Sequence, residues 1–444
     1  MMLKPHTLRT FAASCLAAWL VGCASGGGGV AGKIEEDEGK PAPSIRALVK
    51  NQKAPDESKL PVIKSEPIAP DPEKALENYR KLMAMAPDAE TRAEAQRRIA
   101  DLQVQTDDLK GGGTAESEAQ LKQAIRLYQR LLKERPQDPQ NDRVLYQLSR
   151  AQQNSGDSKG AIDTLDRLAK EYKDSPLAGD GHFRRADLLY RLERYPESEA
   201  EFATVMGYQE RTPFYEPAQY MMGWSQYRQS KFDAAIKTFF DVLDRELPDP
   251  TPLEIEEALA EVERGKTDLA RDSLRVVSLS FAALGGGEAV SESFAKNGDP
   301  RFYPLIYNAL GATLLEKQRY TDAAEGYTAF TKRYPTHELA PTFQSRVIEA
   351  YASGGFGDLV TREKERYATT YDPAAPYWKG QAPTEEVMTA LRGHMDDLAK
   401  FNHAQAQQGD KLKNKDQFLV AARWYKRIIE VYPKDPKIAE INYL

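Results

Sequence analysis

Cysteine is nearly missing from this chain: its 444 residues hold two, Cys15 and Cys23, both close to the N-terminus. With one of them inside an apolar leader, no disulfide framework can brace the remainder. Histidine is scarce too, five in all. His394 and His403 flank Asp396 and Asp397, but nine residues of helix would hold the two imidazoles about two and a half turns apart, too far for one shared ion. No metal site is expected. An excess of positive charge is also lacking, with 61 Lys and Arg against 67 Asp and Glu and a net charge of −6, which speaks against nucleic-acid partners. Past the N-terminus no apolar run reaches the ~18–20 residues that span a bilayer. Catalytic signatures are missing as well. The glycine runs at 111–113 and 285–287 lack the Gly-Lys-Ser/Thr that would complete a phosphate loop. No G-x-S-x-G occurs, and so many carboxylates will pair by chance on solvated faces. Neither an enzymatic activity, a cofactor nor a small-molecule substrate is expected.

What is present begins with Lys4 and Arg9, an apolar stretch from Thr10 to Val21, and small residues after it. That order of basic, apolar and small segments is a secretory signal peptide, residues 1–22. Leu20-Val21-Gly22-Cys23 resembles the bacterial lipobox. The resemblance implies cleavage before Cys23 and acylation of its thiol, with more than one chain needed for stable anchoring. An ordinary signal peptide with a coincidental cysteine is the competing reading. Ala24 follows, where Asp would favour inner-membrane retention in enteric lipoproteins, so the lean is to the outer membrane. Residues 23–72 carry a glycine run, an acidic run and recurring prolines with no helical period. Such composition cannot bury enough surface to offset ordering entropy, and it is expected to be a disordered tether reaching about 40 Å.

From Asp71 onward the pattern changes. An alanine is followed by an aromatic four residues on, an apolar residue seven on and a proline twelve on. The series reads Ala75, Tyr79, Leu82, Pro87; Ala124, Tyr128, Leu131, Pro136; Ala323, Tyr327, Phe330, Pro335; and Ala421, Tyr425, Ile428, Pro433. The first three positions share one helix face, and proline stops the helix. Between the second and third copies the small residue recurs every 37 residues, at Ala124, Ala161, Ser198 and Ala235. Twelve residues before the last three stand Ser149, Ala186 and Gly223. Each unit is therefore expected to be two antiparallel helices that cross closely through small residues.

Residues 307–335, YNALGATLLEKQRYTDAAEGYTAFTKRYP, resemble the tetratricopeptide repeat position by position: Tyr307, Leu310, Gly311, Leu314, Tyr320, Ala323, Tyr327, Phe330 and Pro335. The resemblance implies an all-α, helix-pair superhelix with a concave face. A 37-residue unit is longer than that family's usual one. The expected organisation is an array over 73–247, a helical insertion over 248–300 and a second array over 301–444. In the insertion Thr251, Pro252 and Glu254 read as the N-cap, first and third residues of a helix. Register is expected to fail after Leu247, and SGGFGD at 353–358 reads as an irregular turn. After Pro433 another amphipathic stretch begins, so a partner or further repeats are expected to cover that end.

By the same resemblance the first helix of each unit lines the groove. Its face carries Tyr146, Phe183 and Tyr220 in one column and Tyr190 and Tyr227 in another, with Arg150, Arg191, Arg228 and Trp224 beside them. Aromatic and arginine residues dominate binding hot spots, and they suit an extended peptide. The same aromatics could equally pack as core between units, Tyr146, Phe183 and Tyr220 first among them. The expectation is a lipid-anchored scaffold on the periplasmic face of the outer membrane, similar in general design to repeat lipoproteins of envelope assembly. It would take protein or peptide partners of the cell envelope. An accessory domain presenting substrate to a cell-wall enzyme is the alternative.

Overall fold

The computed structural model describes residues 71–443, apart from 86–87, 111–113, 210–211 and 409–414. The signal peptide, Cys23 and all but the last two residues of the expected tether lie outside the described residues. Among the described residues there are nineteen α-helices and no strand. They are α1 (Pro72–Met85), α2 (Ala89–Lys110), α3 (Ala115–Glu134), α4 (Asn141–Asn154), α5 (Ser158–Glu171), α6 (Ala178–Arg191), α7 (Tyr195–Gly207), α8 (Tyr215–Arg228), α9 (Phe232–Glu246), α10 (Ile255–Ala260), α11 (Thr267–Leu284), α12 (Gly287–Asn297), α13 (Tyr303–Glu316), α14 (Tyr320–Arg333), α15 (Ala340–Ser353), α16 (Gly357–Thr370), α17 (Glu385–Gln407), α18 (Lys415–Val431) and α19 (Ile438–Tyr443).

The 37-residue period has a concrete composition. α4 and α5 have 14 residues each, the turn between them is 155–157, and the linker 172–177 leads to α6. Within the turn, the Asp157 amide donates to the Gln152 carbonyl at 2.8 Å and the Gly156 amide to Gln153 at 3.0 Å. These are the paired bonds of a Schellman cap, which needs a left-handed residue where Gly156 stands, at φ 84°. The same pair closes the turns around Glu193, Ser230, Gln318 and Gly355, all with positive φ. Linkers repeat as well: Tyr172, Ser175 and Ala178 donate in sequence to Leu168, Tyr172 and Ser175, and Tyr334, His337 and Ala340 donate to Phe330, Tyr334 and His337 in the same way.

Register does fail after Leu247, since the turns at Ser230 and Gln318 are not a whole number of 37-residue steps apart, but the period returns beyond it. Gln318 and Gly355 are 37 residues apart, so α13–α16 resume the period of α4–α9 after the insertion. SGGFGD at 353–358, expected to be irregular, forms the same capped turn as those at Gly156, Glu193, Ser230 and Gln318, with the Phe356 amide on the Tyr351 carbonyl at 3.0 Å. The expected helix start at Thr251 is also displaced. α10 begins at Ile255 with Glu254 at its N-cap, and the Thr251 hydroxyl instead donates to the Pro248 carbonyl at 2.7 Å.

The periodic residues form the core. Ala124, Ala161, Ser198 and Ala235 are completely buried, as are Tyr128, Phe202 and Phe239 four residues on. In two units a glycine on the first helix receives the ring of the second helix. A methyl group at Gly223 would stand 2.9 Å from Phe239, and one at Gly311 would stand 2.2 Å from Tyr327. At α6–α8 the apolar seam turns polar: the Ser198 hydroxyl donates to the Ala186 carbonyl at 2.9 Å and lies 3.2 Å from the Ser225 hydroxyl. The terminal α1 departs from the pattern, since none of its residues is buried and Leu82 is exposed.

Candidate partner-binding face

First helices touch one another along the array, α2 with α4, α8 with α11 and α15 with α17. Consecutive second helices lack such contacts among the described residues except at α12 and α14, which pack closely at Gly287 and Gly326. Away from α12 and α14, the first helices therefore stand closer together and line the inner side of the curve. α11, from the 248–300 stretch, packs on α9 as a first helix would.

On this face Tyr146 is buried. Its hydroxyl donates to the Asp180 carboxylate and accepts from Arg184 Nε at 2.8 Å, and the Arg184 guanidinium lies 5.2 Å from its ring centre. Burial pushes the hydroxyl up to about 12. Phe183 is buried between Phe214, stacked at 4.9 Å, and Phe202, edge-on at 5.7 Å. Tyr220 donates to Asp272 at 2.6 Å, and Trp224 Nε1 donates to the same carboxylate at 3.1 Å. Arg275 holds Asp272 at 2.9 Å and lies 5.6 Å from the Trp224 ring centre. Phe183 thus packs as core between units. Tyr146, Tyr220 and Trp224 reach acids on neighbouring helices.

The arginines have intramolecular partners as well. Arg150 pairs with Asp108, Arg191 with Asp187 at 2.9 Å, and Arg228 donates to the Tyr195 hydroxyl at 2.6 Å. Asp187 is buried, and its Oδ1 has no hydrogen-bond partner. Desolvation raises its pKa against the pull of Arg191 and Arg184.

Tyr190 and Tyr227 differ from the rest. Each is the next-to-last residue of its first helix, and its ring meets the first residue of the following helix edge-on, Tyr195 at 5.3 Å and Phe232 at 5.7 Å. Both are half-buried, and neither hydroxyl forms a hydrogen bond among the described residues. Arg191 and Arg228, next to them in the chain, are exposed. These four residues stand at the turn edges of α6 and α8, where burial raises the pKa of both tyrosine hydroxyls.

Sequence reasoning missed the acids. Asp180–Arg184 and Asp187–Arg191 were legible as pairs four apart on a helix. Asp272 carries no local signal, because it arrives from the insertion. Among the described residues no group of three or more His, Cys, Asp and Glu could hold a metal ion. His394 is half-buried against Tyr367 at 4.8 Å, and desolvation lowers its pKa to about 4. His403 faces Gln407 and Tyr425 instead. No described helix is long and apolar enough to cross a membrane.

The helix pairs, their capped turns and the small-residue crossings define a class, the helical repeat solenoid. Residues 116–182 and 217–245 match the tetratricopeptide repeat, and the chain carries repeats of that kind. Solved structures similar to it include a tetratricopeptide repeat protein from Parabacteroides merdae, at 12% identity over 78% of this chain and 97% of that one, TM-score 0.31. They also include the apo form of RapI, at 11% identity over 67% and 93%, TM-score 0.33. A third is the set of TPR-like repeats of a putative kinesin light chain from Podosopora anserina, at 12% identity over 51% and 97%, TM-score 0.31. No curated protein matches the chain.

Proposed function

We propose that this chain is a lipid-anchored scaffold of the bacterial cell envelope, held to the periplasmic face of the outer membrane through Cys23. It gathers protein or peptide partners on its inner face and carries out no chemistry of its own. The lipobox-like Leu20–Cys23 supports the anchor. The observation that carries the binding role is the recurrence of Tyr190 and Tyr227, whose half-buried rings and hydroxyls without a hydrogen bond stand one repeat apart beside exposed Arg191 and Arg228. Rings held edge-on lose little freedom on binding, which suits them to anchor a partner. Trp224 is better read as a support, since its indole is buried and bonded to Asp272.

Capture of envelope proteins from solubilised membranes tests the reading. Tyr190→Ala with Tyr227→Ala should reduce capture about tenfold, as loss of two anchors predicts, and leave the helical signal intact. Undiminished capture by the folded double variant would remove this face from the proposal. Separately, Cys23→Ser should release the protein from the membrane fraction or leave it uncleaved. Mature Cys23→Ser protein that still sediments with outer membranes would refute the anchor.

A further inference from the structure

The loop that leaves α9 returns to lie on the inner face of α13 and α15. Arg301 organises its first part with all five N–H groups. Nε meets the Asp244 carboxylate at 2.9 Å, one terminal nitrogen meets the carbonyls of Asp244 and Leu247 at 2.6 and 2.7 Å, and the other meets the Pro248 carbonyl and Thr251 hydroxyl at 2.6 and 3.1 Å. Beyond that point the backbone crosses the repeat helices. Asn308 Nδ2 donates to the Leu253 carbonyl at 2.8 Å, and Arg346 donates both to the Glu254 carboxylate and to the Asn308 side-chain oxygen. Leu253 and Ile255 are half-buried against the apolar core.

Position within the repeat gives these contacts meaning. Asn308 is the sixth residue of α13 and Arg346 the seventh of α15, as Tyr146 is of α4 and Arg184 of α6. In both pairs, 38 residues apart, the arginine donates to the side chain in the preceding unit. The first array completes the trio with its own Asp180, third in α6. The matching residue of α15 is Thr342, which offers no carboxylate. Glu254 supplies it from outside the repeat. Asn308 is almost fully buried, and it holds a main-chain carbonyl just before a residue whose acidic side chain is held by an arginine. An amide on a peptide carbonyl and a guanidinium on the next carboxylate together recognise an extended strand with a defined direction.

We infer that the inner face of α13 and α15 is a peptide-binding site which the chain fills with its own residues 252–255. The external partner it fits is an extended segment in which an apolar residue is followed directly by an acidic one. This site is on different helices from Tyr190 and Tyr227, so it stands or falls independently of the proposed function. Held in cis, the loop has a high effective concentration, and it keeps weak peptides out while yielding to a stronger or multivalent partner.

The test uses the full chain and a fluorescent peptide carrying residues 249–257, DPTPLEIEE. The wild-type chain should bind it weakly, and Leu253→Gly with Glu254→Ser should bind about tenfold more tightly or better, because the competing loop has lost its apolar side chain and its carboxylate. Adding Arg346→Glu should cancel that gain and shift the preference to the peptide with lysine in place of its first glutamate. A folded Leu253→Gly, Glu254→Ser chain that binds no better than wild type overturns the inference. A readout that needs no variant is hydrogen exchange of the wild-type chain under millimolar peptide. Amides 253–260 should lose protection while α13–α16 keep theirs, and unchanged protection at saturating peptide counts against the site.

Discussion

The arrays on either side of residue 300 share a backbone and differ in what covers their inner face. α4–α9 and α13–α16 have the same period and the same three-residue capped turns. In the first array the Tyr146 trio satisfies itself, since Asp180, Tyr146 and Arg184 are all repeat residues, and only at α8 do Tyr220 and Trp224 take Asp272 from the insertion. In the second, Asn308 and Arg346 take their carbonyl and carboxylate from the 248–255 loop. The repeat backbone is thus fixed by short-range features, a small residue under a ring and a left-handed turn, while the inner face is free to diverge. One array presents aromatic tips, and the other holds a strand.

The sharpest way to break the shared backbone is to fill its crossings. A methyl at Gly311 would stand 2.2 Å from the Tyr327 ring, and one at Gly223 would stand 2.9 Å from Phe239. Alanine gains at most about 1 kcal/mol over glycine in a helix interior, whereas forcing atoms into a packed core costs about 1–3 kcal/mol. The clash wins at both sites. Gly311→Ala should cost about 3 kcal/mol and Gly223→Ala about 1–2 kcal/mol. Urea denaturation followed by circular dichroism compares them. Equal losses would mean that the two crossings are equally tight.

Much of this backbone was legible before any coordinates. Ala124, Ala161, Ser198 and Ala235 mark the buried crossing correctly because a 3.6-residue period and a fixed spacing are local properties. The turns around Glu193, Ser230 and Gln318 were not legible, since glycine is the usual sign of a left-handed cap and none of the three is glycine. For the same reason the resumption of the 37-residue period at Gln318 went unread. The inner face was half legible. Its aromatics could be assigned to the correct helices, but the partners of Tyr220, Trp224, Asn308 and Arg346 come from the insertion, tens of residues away. Glu254 read as part of a helix start, and only the folded chain shows that it meets Arg346.

A second prediction separates the self-contained face from the borrowed one. The Asp180 side chain is 19% exposed and serves both Tyr146 and Arg184, so Asp180→Ala removes the acceptor of a buried hydroxyl and a counter-charge of a half-buried guanidinium. A loss of about 2 kcal/mol is expected. The Glu254 side chain is 56% exposed, and an ion pair that open to water contributes under about 1 kcal/mol. Glu254→Ala should therefore leave the melting temperature close to wild type while loosening the loop in hydrogen exchange. A larger thermal loss for Glu254→Ala than for Asp180→Ala would make the loop a structural brace and not a displaceable strand.

The smallest effects lie in the turns, and they probe what the arrays have in common. Gly156 and Gly355 have φ of 84° and 76°, and a methyl at either would meet nothing within 4 Å. Any penalty for alanine there is backbone strain alone, about 1 kcal/mol. Glu193, Ser230 and Gln318 already bear that strain, at φ of 61°, 60° and 57°. Replacing each with glycine relieves it but gives the unfolded chain more freedom, so the net gain should be about 0.5 kcal/mol. Because the five turns share one hydrogen-bond pattern, the gain should be the same at Ser230, in the first array, as at Gln318, in the second. Matched shifts in the urea midpoint of Ser230→Gly and Gln318→Gly would show one turn energetics running through both arrays. A gain at one and a loss at the other would mean that the insertion between them strains the second array's turns in a way their common geometry does not reveal.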